Sequence, residues 1–255
     1  MSQTHELTID GEALVKRYTS WERGEPGREW TVLSALAAAA PDLVPRPIAC
    51  GVDDVPPWVS MTRVPGRALS GTLSPAQLDA LEVALRRMWQ VPVPVEVAAR
   101  SFAPVAAWEV IGSRFGSAVR PAGLAGDAFD AAVEFLSVPL SPPSVAAVIG
   151  HGDPNVANYL WDGVRVRIVD FEDAGVSDVA YELATLVEHL SAREVDADGF
   201  CVRFADLTGD GVWLRRARVV WAAFWLHMLL PGGPAARRNP PGTLEVQAAR
   251  LLSLV

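Results

Sequence analysis

Short stretches in which hydrophobic and polar residues alternate dominate the first part of the chain. Residues 6–9 and 13–18 flank an Asp-Gly pair, which is typical of a tight turn between antiparallel strands. Two more strands are predicted at 46–51 and 58–64, where apolar and polar side chains recur with a period of two. The first part of the chain is therefore predicted to be rich in strands.

Helical patterns fill most of the remaining sequence. An Ala- and Leu-rich stretch predicts a helix over 28–40, and the polar residues 20–28 before it, with two glycines and a proline, are expected to form a loop. Farther on, Ser74-Pro75 is a helix-start signal, and apolar residues follow it at helical spacing. Further helices are predicted at 103–118, 124–137, 178–191, 196–207, 212–230 and 243–254.

A strand-rich island interrupts the helical part. One strand is predicted at 145–149, and a hairpin is predicted from 158–161 and 164–169 around a second Asp-Gly pair. The whole pattern predicts an α+β fold in two parts. Residues 1–66 would form a small β-rich part, and residues 67–255 a larger, mainly helical part.

The composition is that of a folded protein, with 50% hydrophobic and 20% charged residues. No run of 18 or more uncharged apolar residues occurs, so no membrane association is expected. The first residues lack the basic start and apolar core of a secretory signal, and we expect a cytoplasmic protein. Cys50 and Cys201 lie far apart in the sequence and are expected to be reduced thiols.

The net charge narrows the class of partner. At −8, the chain lacks the basic surface that sequence-independent binding of nucleic acid requires, so no nucleic-acid partner is expected. An acidic surface can attract a cationic small molecule, although many acidic proteins carry their charge for solubility alone. The charge therefore gives weak support to a basic substrate.

Lysine usage is more informative than the net charge. Among 22 basic residues, only Lys16 is a lysine, and it falls in the second predicted strand. Lysine is a compact point charge on a flexible stem, whereas arginine is a planar fork, so the two are not interchangeable at a tight phosphate site. Lys16 is therefore a candidate ligand for phosphate oxygens.

Three polar residues follow predicted strands at positions suited to chemistry. Asp153 and Asn158 lie between the strand at 145–149 and the hairpin, and Asp170 lies at the end of the hairpin. Phosphoryl transfer requires a carboxylate for the attacking hydroxyl, hard oxygen ligands for Mg²⁺, and a lysine that a glutamate positions. Asp153 would be the catalytic carboxylate, and Asn158 and Asp170 would hold the metal. Lys16 would bind phosphate with Glu29 as its partner.

The ordered set of motifs resembles the aminoglycoside phosphotransferase and choline kinase family, which shares the two-lobed fold of protein kinases. The pattern H-G-D-x-x-x-x-N at 151–158 looks like the family's catalytic loop, and D-F-E at 170–172 looks like its metal-binding segment. The stretches around Lys16 and Glu29 look like its lysine strand and glutamate helix. The resemblance implies a β-rich N-lobe, a helical C-lobe, Mg²⁺, and ATP or GTP as co-substrate.

The segment 58–66 resembles the family's hinge strand, which lies beside the nucleotide. The resemblance places Met61, Thr62 and Val64 at the nucleotide, with backbone groups of Thr62 and Val64 at the adenine. Two acidic residues beside the metal-binding segment, Glu172 and Asp173, are candidates for contact with a cationic substrate. The alternative is that they merely shape the turn.

One departure from the family pattern concerns the phosphates. Only 15 residues precede Lys16, and the glycine among them, Gly11, lies in a predicted hairpin turn. The N-lobe is therefore expected to be truncated and to lack the usual glycine loop. The glycine-containing stretch 24–27 is one candidate for a segment that covers the phosphates in place of the glycine loop.

Two classes of function are compatible with these features. The first is a small-molecule kinase that phosphorylates a hydroxyl of an acceptor expected to be cationic: an aminoglycoside or another antibiotic first, then an amino alcohol or a sugar. The second is a catalytically degenerate kinase fold that binds a ligand, which the departure at the glycine loop suggests. The joint presence of Lys16, Asp153, Asn158 and Asp170 favours the enzyme.

Overall fold

The computed structural model describes residues 5–255, and within this range it has the mixed α+β composition that the sequence predicts. The strands are β1 (Glu6–Asp10), β2 (Ala13–Arg17), β3 (Pro47–Gly51), β4 (Trp58–Thr62), β5 (Arg67–Ala68), β6 (Val148–Gly150), β7 (Tyr159–Trp161), β8 (Val166–Ile168) and β9 (Gly175–Ser177). The α-helices are α1 (Glu25–Ala39), α2 (Pro75–Trp89), α3 (Pro104–Ser117), α4 (Gly123–Ser137), α5 (Val179–Glu188), α6 (Ala197–Val202), α7 (Ala205–Thr208), α8 (Val212–Leu229) and α9 (Thr243–Leu252).

The chain divides into two compact units. Unit 1 contains the residues up to Ser101 together with Ala146–Val179, and unit 2 contains Phe102–Val145 together with Ala180–Val255. These units are defined by contacts between residues. The expected lobes were instead defined by the point at which the sequence changes from strand-rich to mainly helical. The lobe boundary after Gly66 stays a prediction.

A four-stranded antiparallel sheet in the order β1-β2-β4-β3 forms the N-terminal part of unit 1. Lys16 on β2 pairs with Leu7 on β1 and with Val59 on β4. Because directly paired residues point to the same face of a sheet, these three side chains form one row. Helix α1 packs against β3 and β4, and buries Leu33 and Leu36.

Helix α1 begins three residues earlier than the predicted helix. Gly24 precedes it in the left-handed conformation at φ 76°, and Pro26 lies in its first turn. Proline is tolerated there because the first amides of a helix have no partner within the helix. The end of the predicted loop 20–28 is therefore wrong, and the stretch 24–27 belongs to a helix start.

The rest of unit 1 consists of helix α2 and two small sheets. Ser74 and Gln77 form a reciprocal capping box at the start of α2. The helix packs against β6 and β8 and buries Leu81, Leu85 and Met88. Strand β6 pairs with β9, and β7 pairs with β5 and β8, so the predicted hairpin is present.

Unit 2 is built from helices, with α8 in contact with α3, α4 and α9. The single helix predicted at 196–207 is wrong: α6 and α7 replace it, because Phe204 leaves helical geometry at φ −113° and ψ 18° and buries its ring fully. Within residues 5–255, no helix is both long enough and apolar enough for a membrane crossing.

Candidate active site

The ammonium group of Lys16 lies among three carboxylates of unit 1. Its Nζ atom is 2.8 Å from Glu29 Oε2, 2.5 Å from Asp170 Oδ1 and 2.6 Å from Glu172 Oε2. The Lys16 side chain is only 7% exposed. Burial alone would lower the pKa of this lysine, but the surrounding carboxylates reverse that effect and raise it well above its usual value. Lys16 is therefore charged in this setting.

Glu29 connects helix α1 to both Lys16 and the D-F-E segment. Its Oε2 atom accepts hydrogen bonds from Lys16 and from the hydroxyl of Tyr18. Its Oε1 atom accepts from the amide of Phe171 at 3.2 Å. Since Phe171 directly follows Asp170, this one carboxylate fixes the lysine and the predicted metal-binding segment relative to each other.

Asp170 has two features that are typical of functional residues. Its backbone is left-handed, at φ 72°, which is costly for a residue with a side chain and persists only where its surroundings enforce it. Desolvation opposes the charge of its carboxylate, but the adjacent Lys16 outweighs it, and the pKa of Asp170 lies below its usual value. With 37% of its side chain exposed, Asp170 can also reach a ligand from solvent.

Glu172 follows Asp170 by two residues and contacts the same ammonium group. Its Oε2 atom is 2.8 Å from Nε2 of His5, in addition to its contact with Lys16. Burial raises the pKa of Glu172 to about 7; Lys16 opposes this rise and Asp170 adds to it. Three carboxylates share one ammonium group, so a single positive charge does not offset the repulsion among all three when they are ionised.

Asp153 is held in a loop that its own carboxylate helps to shape. Oδ1 accepts from the amide of Asn155 at 3.3 Å, and the side-chain nitrogen of Asn158 donates to Asp153 Oδ2 at 3.2 Å and to its carbonyl at 3.1 Å. Asp153 and Asn158 are half-buried. The loop therefore turns back and brings these two side chains together.

His151 fixes the Asp153 loop to the strand that precedes Asp170. Its Nδ1 atom accepts from the amide of Asp153 at 3.3 Å, so the ring proton is on Nε2, which donates to the carbonyl of Val169 at 2.8 Å. The amide of Val169 donates in turn to the carbonyl of Asn158 at 3.0 Å. His151 is 1% exposed, and these contacts give it a structural role in the loop.

Gly152 allows a close approach between the two loops. Its φ of 84° favours glycine, and a Cβ atom at this position would collide with the carbonyl of Asp173. The glycine of the H-G-D motif is therefore required by geometry, since any side chain would push the Asp153 loop away from the D-F-E segment.

The donor atoms fit a hard divalent cation. The side-chain nitrogen of Asn158 is engaged by Asp153, which leaves its amide oxygen as a ligand atom, and the Asp170 carboxylate is partly exposed. Carboxylate and amide oxygens are ligands that Mg²⁺ accepts. Oxygens of Glu29, Asp170 and Glu172 also lie within 4.8 Å of one another, but the Lys16 ammonium already contacts all three.

The predicted hinge residues lie on β4 and just beyond it. Met61 is buried and pairs with Leu14 on β2. The amide of Thr62 donates to the carbonyl of Arg46 at 2.9 Å, and its hydroxyl accepts from the Arg46 amide at 2.8 Å. Val64 follows the end of the strand and is half-buried.

The acidic residues considered for substrate contact are both paired with cations of the chain. Asp173 Oδ1 accepts from Arg23 Nη1 at 2.9 Å, while Glu172 contacts Lys16 and His5. Arg28 also donates to the carbonyl of Ala174 at 3.0 Å. These contacts tie the turn after the D-F-E segment to α1 and the residues just before it.

Sequence reasoning did not identify His5 and Tyr18 as members of this site. Tyr18 lies two positions after Lys16, and alternation along a strand would have placed both on one face. The register of β1 and β2 pairs Glu6 with Arg17, so one step further His5 lies beside Tyr18, and the ring centroids are 4.8 Å apart. The signal for His5 depends on knowing this register, whereas the signal for Tyr18 needs only the alternation along its own strand.

Comparison with known proteins identifies the family. The model of the phosphotransferase enzyme family matches residues 3–218, and the chain belongs to this family. The predicted family is thereby confirmed. The comparison with curated proteins found none that matches the chain.

Solved structures of similar fold include small-molecule kinases. A choline/ethanolamine kinase family protein from Mesorhizobium loti superposes with a TM-score of 0.67 at 17% identity, covering 100% of this chain and 86% of that one. The choline kinase LicA from Streptococcus pneumoniae gives 0.63 at 12%, covering 100% and 90%. The ADP-bound aminoglycoside phosphotransferase APH(2'')-Ib gives 0.60 at 14%, also covering 100% and 90%. At these identities the likeness shows the fold, and the predicted kinase-like fold is confirmed.

Proposed function

We propose that the protein is a small-molecule kinase that transfers the γ-phosphoryl group of ATP or GTP to a hydroxyl group. The observation that carries this proposal is the convergence of Lys16, Glu29 and Asp170 on one point, in the same unit as the Asp153–Asn158 loop. Membership of the phosphotransferase enzyme family supports it independently.

Lys16 binds phosphate oxygens of the nucleotide in this proposal, and Glu29 keeps the lysine in place. The 2.8 Å contact between their charged atoms supports these roles. Met61 packs against the nucleotide base. The carbonyl of Thr62 and the amide of Val64 form the hydrogen bonds to adenine. The Thr62 amide is excluded as a donor to adenine because it already donates to the carbonyl of Arg46.

Asn158 and Asp170 hold Mg²⁺ through their side-chain oxygens. The bound metal ion neutralises charge on the phosphates. The exposure of the Asp170 carboxylate and the engagement of the Asn158 nitrogen by Asp153 support this assignment.

Asp153 orients the acceptor hydroxyl and accepts its proton. The hydroxyl oxygen attacks the γ-phosphorus in line, and the bond from this phosphorus to the oxygen that bridges it to the β-phosphate breaks. Hydrogen bonds from Asn155 and Asn158 hold the Asp153 carboxylate, so its orientation is set before the acceptor arrives. Catalysis then relies on positioning and on charge neutralisation.

The acceptor in this proposal is a small hydroxylated molecule with a positive charge. The net charge of −8 favours a cation. The structural neighbours include choline kinases and an aminoglycoside phosphotransferase, so an aminoglycoside or another antibiotic comes first, and an amino alcohol or a sugar second. The pairing of Glu172 and Asp173 with cations of the chain favours a structural role for both over acceptor contact.

A transfer assay tests this function. The wild-type protein is incubated with Mg²⁺ and γ-labelled ATP or GTP against aminoglycosides, peptide antibiotics, amino alcohols and sugars, and labelled product is measured. Asp153→Ala should abolish transfer and retain nucleotide binding, whereas Asp53→Ala, which changes an exposed aspartate of the same unit, should match the wild type. Full activity of Asp153→Ala would remove the mechanism. Nucleotide binding without transfer to any acceptor would indicate a binding protein.

A further inference from the structure

His5 is a buried residue whose ring orientation is fixed by the backbone. It is 8% exposed, and its Nδ1 atom accepts a hydrogen bond from the amide of Thr19 at 3.1 Å. Since Nδ1 is the acceptor, the proton of the neutral ring is on Nε2. That nitrogen lies 2.8 Å from Oε2 of Glu172.

The same oxygen of Glu172 lies 2.6 Å from the Lys16 ammonium. His5, Glu172 and Lys16 therefore form a continuous line of polar contacts that ends at the lysine. Lys16 has a second line of polar contacts, through Glu29 to the hydroxyl of Tyr18. Its third partner, Asp170, is the most exposed of the three carboxylates.

We propose that His5 is a positioning residue, which acts through Glu172 to hold Lys16 in place for the nucleotide. The inference rests on the proposed function, in which Asp170 serves the metal. Lys16 then needs carboxylates that do not serve the metal, and Glu29 and Glu172 are the two that remain. His5 limits where the Glu172 carboxylate can lie, because its ring is held by the Thr19 amide and its Nε2 atom lies 2.8 Å from the same carboxylate oxygen that contacts Lys16.

A purely structural role for His5 is the alternative, and two substitutions separate the roles. Asn places a polar atom near the position of Nδ1, so His5→Asn keeps an acceptor for Thr19 but loses the group that faces Glu172. Gln places its amide nitrogen near the position of Nε2, so His5→Gln keeps a donor for Glu172. His5→Ala removes both, and comparison of the unfolding midpoints of all three variants shows whether each one folds.

Steady-state kinetics give the first readout. We expect His5→Ala and His5→Asn to raise the KM for nucleotide about tenfold, the effect of losing one polar contact to a charged group, while the KM for the acceptor stays within about twofold. His5→Gln should restore the nucleotide KM to within about threefold of the wild type. Equal changes in both KM values, or rescue by Asn in place of Gln, would assign His5 to structure alone.

Lys16 gives a second readout that does not need activity, because it is the only lysine in the chain. An amine-reactive acylating reagent is added to the folded protein, and the rate of modification at Lys16 is followed by peptide mass spectrometry. Burial and ion pairing protect the amine in the wild type. We expect the rate to rise several-fold in His5→Ala and His5→Asn and to return to the wild-type value in His5→Gln.

The two readouts separate the failure of this inference from the failure of the proposed function. If the wild type transfers phosphoryl groups but the variants leave both nucleotide KM and Lys16 labelling unchanged, the role of His5 is overturned and the enzyme stands. If the wild type transfers to no acceptor and binds no nucleotide, the proposed function falls. In that case labelling alone decides whether His5 positions Lys16, and equal rates in all variants would overturn that as well.

Discussion

Lys16 and Asp170 are separated by 154 positions in the sequence, yet Nζ and Oδ1 lie 2.5 Å apart. One residue is in the middle of β2, and the other follows β8 with a left-handed backbone. The contact therefore joins two distant segments of unit 1, and it brings the chain's single ammonium side chain to the segment predicted to bind metal.

Replacement of Lys16 by Met should destabilise the protein. Glu29, Asp170 and Glu172 would lose their common cation, and removal of one partner from a buried ion pair costs about 3–5 kcal/mol of unfolding free energy. Urea denaturation measures this loss. Arg17→Met, at the exposed next position of the same strand, is the matched control and should change stability by less than about 0.5 kcal/mol. Equal stability of the two variants would contradict the ion-pair assignment.

Asp170→Asn should behave differently, because Lys16 keeps Glu29 and Glu172 as partners while the cluster loses one of three negative charges. We expect the free energy of unfolding to change by less than about 1 kcal/mol, while the transfer rate falls at least about a thousandfold through loss of a metal ligand. Denaturation and kcat, measured on the same preparation, check both. A loss of several kcal/mol would show that Asp170 is mainly structural.

The motif residues could be predicted because their spacing along the chain is typical of the chemistry they are proposed to perform. Asp153 and Asn158 are five positions apart in one loop, and a loop of that length can close on itself. The strand position of Lys16 followed from the local alternation and the Asp-Gly turn, and the helix position of Glu29 followed from the Ala- and Leu-rich stretch. These features can be recognised in the sequence because each depends on a short stretch of the chain.

The contacts of His5, Arg23 and Arg28 could not be predicted in the same way. Each joins the N-terminal elements to a turn 146 to 167 positions later, and nothing in the local pattern indicates that distance. The start of α1 was misplaced for a different reason: Pro26 is a breaker inside a helix but is tolerated in the first turn.

The stability of the protein should depend on pH through Glu172. Burial raises the pKa of this carboxyl from 4.5 to about 7. Because the folded pKa is the higher one, the contribution of Glu172 to stability is present in full below pH 4.5 and is lost as the pH rises through about 7. Glu172→Gln does not ionise, so its stability relative to the wild type should increase from pH 5 to pH 8.

The size of this relative increase should be about 1–2 kcal/mol, after allowance for screening by solvent. Urea denaturation of both proteins at the two pH values measures it, and the comparison cancels the other titrating groups that the proteins share. A difference between the variants that does not change with pH, or that decreases toward pH 8, would show that the pKa of Glu172 is not raised.

His151→Phe should separate packing from hydrogen bonding in the two loops. Phenylalanine keeps the ring contacts with Tyr159 and Phe171 but loses the bonds to the Asp153 amide and the Val169 carbonyl. We expect kcat to fall about 10–100-fold and stability to fall by about 1–3 kcal/mol, because buried backbone groups lose their partners. Unchanged kcat would show that the position of Asp153 does not depend on His151.

Metal-dependent binding of nucleotide tests the central claim most directly, because every proposed role depends on Lys16, Asn158 and Asp170 meeting one metal-bound triphosphate. The unfolding midpoint is measured with ATP and with GTP, each with Mg²⁺ and with EDTA. We expect at least one nucleotide to stabilise the wild type only when Mg²⁺ is present, and Lys16→Met to lose most of this shift. No stabilisation by either nucleotide, or equal stabilisation with EDTA, would contradict the account.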